Sequence, residues 1–200
     1  MRLLLFSDIH TDTTAAARLV ELARGVDVVI GAGDFGSMRQ KVGACMPVLA
    51  KIKVPAVLVA GNNESYDELV AACKSWPQAH ILQGAGIKIE GVSFFGLGGG
   101  VPITPFGSWS WDFSEADAEH LLRDCPNHAV LISHSPPKGF VDRASSGQSL
   151  GSTAVYDAVI RTQPRLVVCG HIHACAGQRA VIEKTPVINA GPQGVLFDMS

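Results

Sequence analysis

The 200-residue chain has little charge: 17% Asp, Glu, Lys and Arg, against 47% hydrophobic residues. Soluble domains average about 25% charged residues. An intrinsically disordered chain needs the opposite balance, so that class is excluded. No run of Lys or Arg occurs and the net charge is −2, so a long duplex nucleic acid is not an expected partner. The sequence also lacks any C-x-x-C pair. Its five cysteines, Cys45, Cys73, Cys125, Cys169 and Cys175, read as reduced thiols of a cytoplasmic protein, not as a disulfide frame or structural zinc site. No apolar run approaches the roughly 20 residues of a membrane span. The start, MRLLLFSDIHTD, meets aspartates too soon for a signal peptide. Repeats, linkers and low-complexity stretches are absent as well, which leaves a single domain over 1–200 with one sizeable core.

What is present is an alternation of short apolar runs and helical patterns. Residues 2–6, 26–30, 55–60, 92–97, 129–132 and 165–169 read as buried strands. Helical spacing predicts helices over 13–24 and 39–53. Ser65-Tyr-Asp-Glu68 and Ser114-Glu-Ala-Asp117 are capping boxes that open two more, and a fifth helix is expected over about 152–162. The tail, 178–197, reads as short strands separated by turns. Such an order predicts an α/β layered domain with mixed sheets covered by helices.

Five of these strands run into polar clusters: Ser7-Asp8-Ile9-His10, Gly33-Asp34, Gly61-Asn62-Asn63-Glu64, Ser133-His134-Ser135 and Gly170-His171-Ile172-His173. Ligands of open α/β sheets bind outside the carboxyl ends of strands, so five clusters predict one composite site. Taken singly, each has an ordinary reading as a turn, a helix cap or a hydrogen-bonded histidine. Taken together they offer two carboxylates (Asp8, Asp34), four imidazoles (His10, His134, His171, His173) and the amide oxygen of Asn62. Mixed nitrogen and oxygen donors suit Mn, Fe, Zn, Co or Ni better than Ca or Mg. Seven donors exceed one tetrahedral shell and suffice for two ions sharing a carboxylate.

The series D-x-H … G-D … G-N-x-E … S-H … G-H-x-H resembles the calcineurin-like metallophosphoesterase family over nearly the whole chain. Thr185-Pro186, Asn189-Ala-Gly-Pro192 and Ser133-His-Ser-Pro-Pro-Lys-Gly139 resemble its small bacterial and archaeal members. The resemblance implies an α/β fold: a four-layer α-β-β-α sandwich of two mixed β-sheets flanked by helices. It implies two divalent transition-metal ions, Mn, Fe, Zn or Ni. Asp8, His10, Asp34 and His173 would hold the first; Asp34 would bridge to a second held also by Asn62, His134 and His171. The implied activity is hydrolysis of a phosphoester, a phosphodiester above all, by a hydroxide bridging the metals. A phosphomonoesterase or nucleotidase of the same fold, or a catalytically weak metal-binding scaffold for other proteins, is the alternative. The expected partner is a small phosphorylated substrate, with nucleotides and cyclic nucleotides among the options; the oligomeric state is left open.

The departure from the family pattern is Asn63, where many relatives carry histidine. An amide donates hydrogen bonds but has no useful pKa, so Asn63 cannot act as a general acid. The catalytic set is therefore expected to be Asp34, Asn62 and Asn63, with good leaving groups or diesters favoured. Glu64 reads equally as an orienter of a ligand or as part of the helix start. Gly96-Leu-Gly-Gly-Gly100 lacks the ending of a nucleotide-binding P-loop and reads as a strand exit. The aromatic stretch Ile103–Phe113 either stacks a base over the site or packs its loop onto the body. Lys138 and Arg143 either attract phosphate or are solvated loop charges. His80, His120 and His128 read as surface or structural residues.

Overall fold

The computed structural model describes residues 1–199. In chain order the elements are β1 (Arg2–Phe6), α1 (Thr13–Leu22), β2 (Val28–Ala32), α2 (Met46–Leu49), β3 (Ala56–Val59), α3 (Tyr66–Ala72), β4 (Ala79–Ile81), β5 (Ala85–Ile89), β6 (Val92–Leu97), α4 (Glu115–Leu122), β7 (Val130–Ser133), α5 (Thr153–Thr162), β8 (Leu166–Cys169), β9 (Arg179–Ile182), β10 (Thr185–Asn189) and β11 (Val195–Asp198). The strands form two mixed sheets, in the orders β11-β1-β2-β3-β4 and β5-β6-β7-β8-β10-β9. β1 to β4 are mutually parallel, as are β6, β7, β8 and β10; β11, β5 and β9 run antiparallel to their neighbours.

Side chains alternate across a strand, and here both faces are apolar because each sheet is covered on both sides. Leu3 and Leu5 of β1 point inward and pack with Val28, Ile30, Val57, Phe94, Ile132 and Val168 between the sheets. Leu4 and Phe6 point outward, under α1 and α2, with Leu19, Met46, Leu49 and Trp76. Phe95, Leu131 and Val167 face the outer side of the second sheet and meet Leu122, Val155 and Val159 of α4 and α5. Three apolar layers separate four structural layers, so the fold is the expected α-β-β-α sandwich.

Both capping boxes form. Ser65 Oγ accepts from Glu68 N while Glu68 accepts from Ser65 N, and Ser114 and Asp117 repeat the exchange. The expected helix over 39–53 does not form: only Met46–Leu49 is helical. Upstream, Met38, Arg39 and Lys41 adopt positive φ. Asn63 holds that segment by accepting Met38 N–H on its side chain at 2.7 Å and Arg39 N–H on its carbonyl at 2.9 Å. Tertiary hydrogen bonds override local helical spacing there. The hairpin β5–β6 was also not expected. Its turn, Glu90-Gly91, has φ of 48° and 84°, the signature of a two-residue hairpin turn. Its first strand, AGIKI, is too polar and too short in apolar residues to stand out.

Candidate metal centre

Because the central strands of each sheet are parallel, their carboxyl ends form one rim, and the five polar clusters sit along it. β1 leads to Asp8 and His10, β2 to Asp34, β3 to Asn62, β7 to His134, and β8 to His171 and His173. The loops lace together across the rim: Asp8 N–H donates to Gly33 O at 2.9 Å, His10 N–H to Asp34 O at 3.0 Å and Gly170 N–H to His134 O at 3.0 Å. Asp8, His10, Asp34 and His171 all have positive φ, between 40° and 66°. Strained backbone of this kind clusters at functional sites.

The donor atoms fall into two groups. Ligand atoms of Asp8, His10, Asp34 and His173 all lie within 4.8 Å of one another. His10 Nε2 is 3.0 Å from His173 Nε2, and His173 Nε2 is 3.6 Å from Asp8 Oδ1. In the second group, Asn62 Oδ1 lies 3.2 Å from His134 Nε2 and 3.1 Å from His171 Nδ1. Asp34 faces both: its Oδ2 is 3.5 Å from His10 Nε2, and its Oδ1 is 3.5 Å from His134 Nε2. All seven residues proposed as metal donors are thus brought together.

The tautomers favour cations. His10 Nδ1 lies 3.1 Å from Gly36 O, and His134 Nδ1 lies 2.7 Å from Ala32 O. A ring nitrogen facing a carbonyl donates its proton, which leaves the Nε2 lone pair turned to the centre, as in metal-ligating histidines. Burial lowers the pKa of His10. Burial and the neighbouring His134 push His171 down to about 3, so both rings are neutral and free to ligate. Burial alone raises the Asp8 carboxyl, but the neighbouring His173 and His134 rings and the hydrogen bond from Ser7 outweigh it and hold it at about 2. Asp34 is pushed upward by burial and then by Asp8. At His134 burial pulls down while Asp34 and Asp8 pull harder upward, so without cations that ring favours a second proton on Nε2, which a bound metal would replace. The two carboxylates call for positive charge where a cation would stand, so the residues fit the metals the donor set implies.

The model of the calcineurin-like phosphoesterase superfamily domain matches residues 1–198. The chain belongs to that superfamily. Curated sequences include a Caenorhabditis elegans protein, UPF0046 protein K07C11.7, that is 34% identical over 96 residues, 46% of this chain and 31% of that protein. The matched stretch is therefore less than a third of the relative's length. Among solved structures, TT1561 of Thermus thermophilus superposes with a TM-score of 0.77 at 18% identity, covering 96% of this chain and 90% of that one. A dimetal phosphatase from Danio rerio gives a TM-score of 0.61 at 14% identity, covering 94% and 86%. At such identities these structures show a shared fold.

Further residues hold the donor loops in place: Glu64, expected either to orient a ligand or to open the helix, and Asn189 and Ser7, of which no supporting role was expected. Buried Glu64 accepts three amides: Asp34 N at 2.8 Å, Gly61 N at 2.7 Å and Gly36 N at 2.9 Å. It ties the β2 loop to the β3 loop, so of its two expected roles the orienting one is built. Burial and Asp34 push its pKa up to about 7 against the pull of those amides. Asn189, fully buried at the end of β10, donates to Gly170 O at 3.0 Å and Ile172 O at 3.1 Å, bracketing His171. Ser7 Oγ donates to Asp8 Oδ2 at 2.5 Å and accepts Gly191 N–H at 2.9 Å. Their signals were present in the sequence as Glu after G-N-N, Asn before A-G-P and Ser before D-x-H. A Cβ on Gly61 would overlap the Asp34 carboxylate, so only glycine lets these two loops approach.

Beside the donors opens a cavity of about 340 Å³, lined in part by Asn63, Phe106, Trp109 and Leu150. The aromatic segment divides its duties. Trp111 and Phe113 meet edge to face at 4.9 Å and pack onto the body. Phe106 and Trp109 stack at 5.7 Å and 15° beside the cavity. Lys138 and Arg143 are not among its lining residues: Lys138 Nζ donates to Ser149 O at 2.8 Å, and Arg143 to Gly147 O at 3.1 Å. They brace their own loop. Of the three histidines outside the motifs, His80 lies on β4, His120 on α4, and His128 Nδ1 lies 3.1 Å from Gln163 O.

Proposed function

We propose that the protein is a metal-dependent phosphodiesterase with a dinuclear centre. The observation that carries this reading is Asp34, whose two oxygens face two separate donor groups. Asp8, His10 and His173 with Asp34 would hold one ion; Asn62, His134 and His171 with Asp34 would hold the other. When bound, such ions acidify a water and neutralise phosphoryl charge. The chain's own residues keep the lone pairs aimed inward, through Gly36 O and Ala32 O, and keep Asp34 centred.

Asn63 supports the diester preference. Its side chain donates to Asp34 Oδ2 at 2.7 Å and accepts from Met38 N at 2.7 Å, and its backbone N–H donates to Asp34 Oδ1 at 2.9 Å. It positions the carboxylate and supplies no proton to a leaving oxygen. The cavity lining has no Lys or Arg to meet the second negative charge of a monoester. A diester carries one charge, and a weakly basic leaving group needs no acid. The resemblance in fold to a dimetal phosphatase agrees with two ions. The reading includes a small phosphorylated substrate and a cytoplasmic location, the latter supported by five free, buried thiols. Among the described residues, no helix is long and apolar enough to cross a membrane.

The test reconstitutes the protein separately with Mn, Fe, Zn and Ni, then compares aryl phosphodiesters with monoesters and counts bound metal. Two ions per chain and faster diester hydrolysis are expected. Asp34→Asn should lower metal content and cut the rate by at least about 100-fold. Full activity in Asp34→Asn would overturn the bridging role, and faster monoester hydrolysis would overturn the diester preference.

A further inference from the structure

The cavity beside the donors has an unequal composition. Apart from Asp34 and the three lining histidines, which belong to the donor set, none of its lining residues is charged. Phe106 and Trp109 form a stacked pair along it. Phe106 is 51% exposed, so part of its ring is open to a ligand. The pair is also held at a set place relative to the donors. Asn62 Nδ2 donates to Ser110 Oγ at 2.9 Å, and Ser110 Oγ donates to Asp112 Oδ1 at 2.8 Å. Thr104 joins from the other end of the loop, donating through Oγ1 to Asp112 Oδ2 at 2.7 Å and through its backbone N–H to the same oxygen at 2.9 Å. Trp111 N–H reaches Asn62 O at 3.0 Å. The loop that carries Phe106 and Trp109 is therefore clamped at both ends to Asp112, and through Ser110 to a donor residue.

We propose that this wall selects the substrate: a phosphoester with a single phosphoryl group, one of whose organic groups is a flat, uncharged aromatic ring that lies against Phe106 and Trp109. This rests on the phosphodiesterase reading and gives it a substrate class. Aromatic faces bind flat rings by dispersion and offset stacking and give little to an alkyl chain of the same charge. The missing cations disfavour polyphosphates, whose added charges would find no partner beyond the metals. The volume of about 340 Å³ is at the low end for small-ligand sites, about 300–1,000 Å³. That suits one ring system and its phosphate and excludes an oligonucleotide.

Two measurements test the proposal on the metal-reconstituted protein. The first is calorimetric binding of phenylphosphonate and methylphosphonate, which share the phosphoryl end and have no ester bond to cleave. Phenylphosphonate should bind roughly tenfold tighter, the low end of the gain from stacking on aromatic side chains. The preference should vanish in Phe106→Ala/Trp109→Ala and persist in Lys138→Ala. The second follows hydrolysis of methyl p-nitrophenyl phosphate, whose one ring is that of its leaving group. A KM raised in the double variant and unchanged in Lys138→Ala is expected. Equal binding of the two phosphonates in the unaltered protein, or a preference that survives the double variant, would overturn the proposal. No hydrolysis of that ester with any metal would instead reject the phosphodiesterase reading, while phosphonate binding would still report on the wall.

Discussion

Asn63 donates to both oxygens of Asp34 and accepts the Met38 amide, so its effect on chemistry runs through the carboxylate it holds. Asn63→Ala removes the side-chain bond to Asp34 and orphans Met38 N–H. Metal affinity is expected to fall about 10–100-fold, the usual cost of losing an outer partner of a ligand; equilibrium dialysis would measure it. Asn63→His supplies a titratable group at the cavity edge. The expected outcome is a higher ratio of alkyl-ester to aryl-ester hydrolysis, because only basic leaving groups profit from an acid. An unchanged ratio, measured with one alkyl and one aryl diester, would count against that account. Asn63 was legible in the sequence as a residue without a pKa. Its grip on Asp34 was not, because that contact joins positions 29 apart in the chain.

Among elements, the loop between β7 and α5 depends on one carboxylate. Asp142, 1% exposed, accepts from Gly139 N at 2.9 Å and Gly151 N at 3.0 Å, and from Ser149 Oγ. Burial raises its pKa, but these hydrogen bonds and the charge of Lys138 outweigh burial and lower it. A carboxyl with a depressed folded pKa contributes stability above its unfolded pKa of about 3.9 and loses it as pH falls through the folded value. Asp142→Ala is therefore expected to cost about 2–3 kcal/mol at pH 7, from charged hydrogen bonds removed and amides left unpaired. The gap between the two proteins should narrow below about pH 4 in denaturant melts, as the charge-dependent part of it is lost. The same loop shows why Lys138 and Arg143 could not be assigned from sequence alone. A lysine that braces a carbonyl and one that binds a phosphate look alike until the loop is closed. The helices behave differently: Ser65 and Ser114 announce α3 and α4 because a capping box is complete within four residues, whereas 39–45 is shaped by distant contacts with Asn63.

At the scale of the whole molecule, the centre straddles two sheets. Asp8, His10, Asp34 and Asn62 come from the first; His134, His171 and His173 come from the second. Ions held by both would favour the folded state over an unfolded chain that cannot assemble the set. At about 100 times the dissociation constant, binding adds about 2.7 kcal/mol, worth roughly 5–10 °C for a domain of this size. Scanning calorimetry with and without Mn²⁺ should show that rise, a chelator should reverse it, and His134→Ala should reduce it. No shift with Mn, Fe, Zn or Ni would contradict a shared centre.

The sequence by itself determined the alternation of strands and helices, the capping boxes and the donor types at the strand ends. These depend on hydrophobic period, local hydrogen bonds and side-chain chemistry, all carried within a few residues. Only the tertiary structure decided that Asp34 stands between two donor groups, that Glu64 and Asn189 hold the loops, and that Phe106 and Trp109 reach the cavity while Lys138 and Arg143 do not. Those facts depend on where parallel strands of two packed sheets end relative to one another. That placement follows from the packing of apolar layers contributed by the whole chain, so no single stretch of it spells the result.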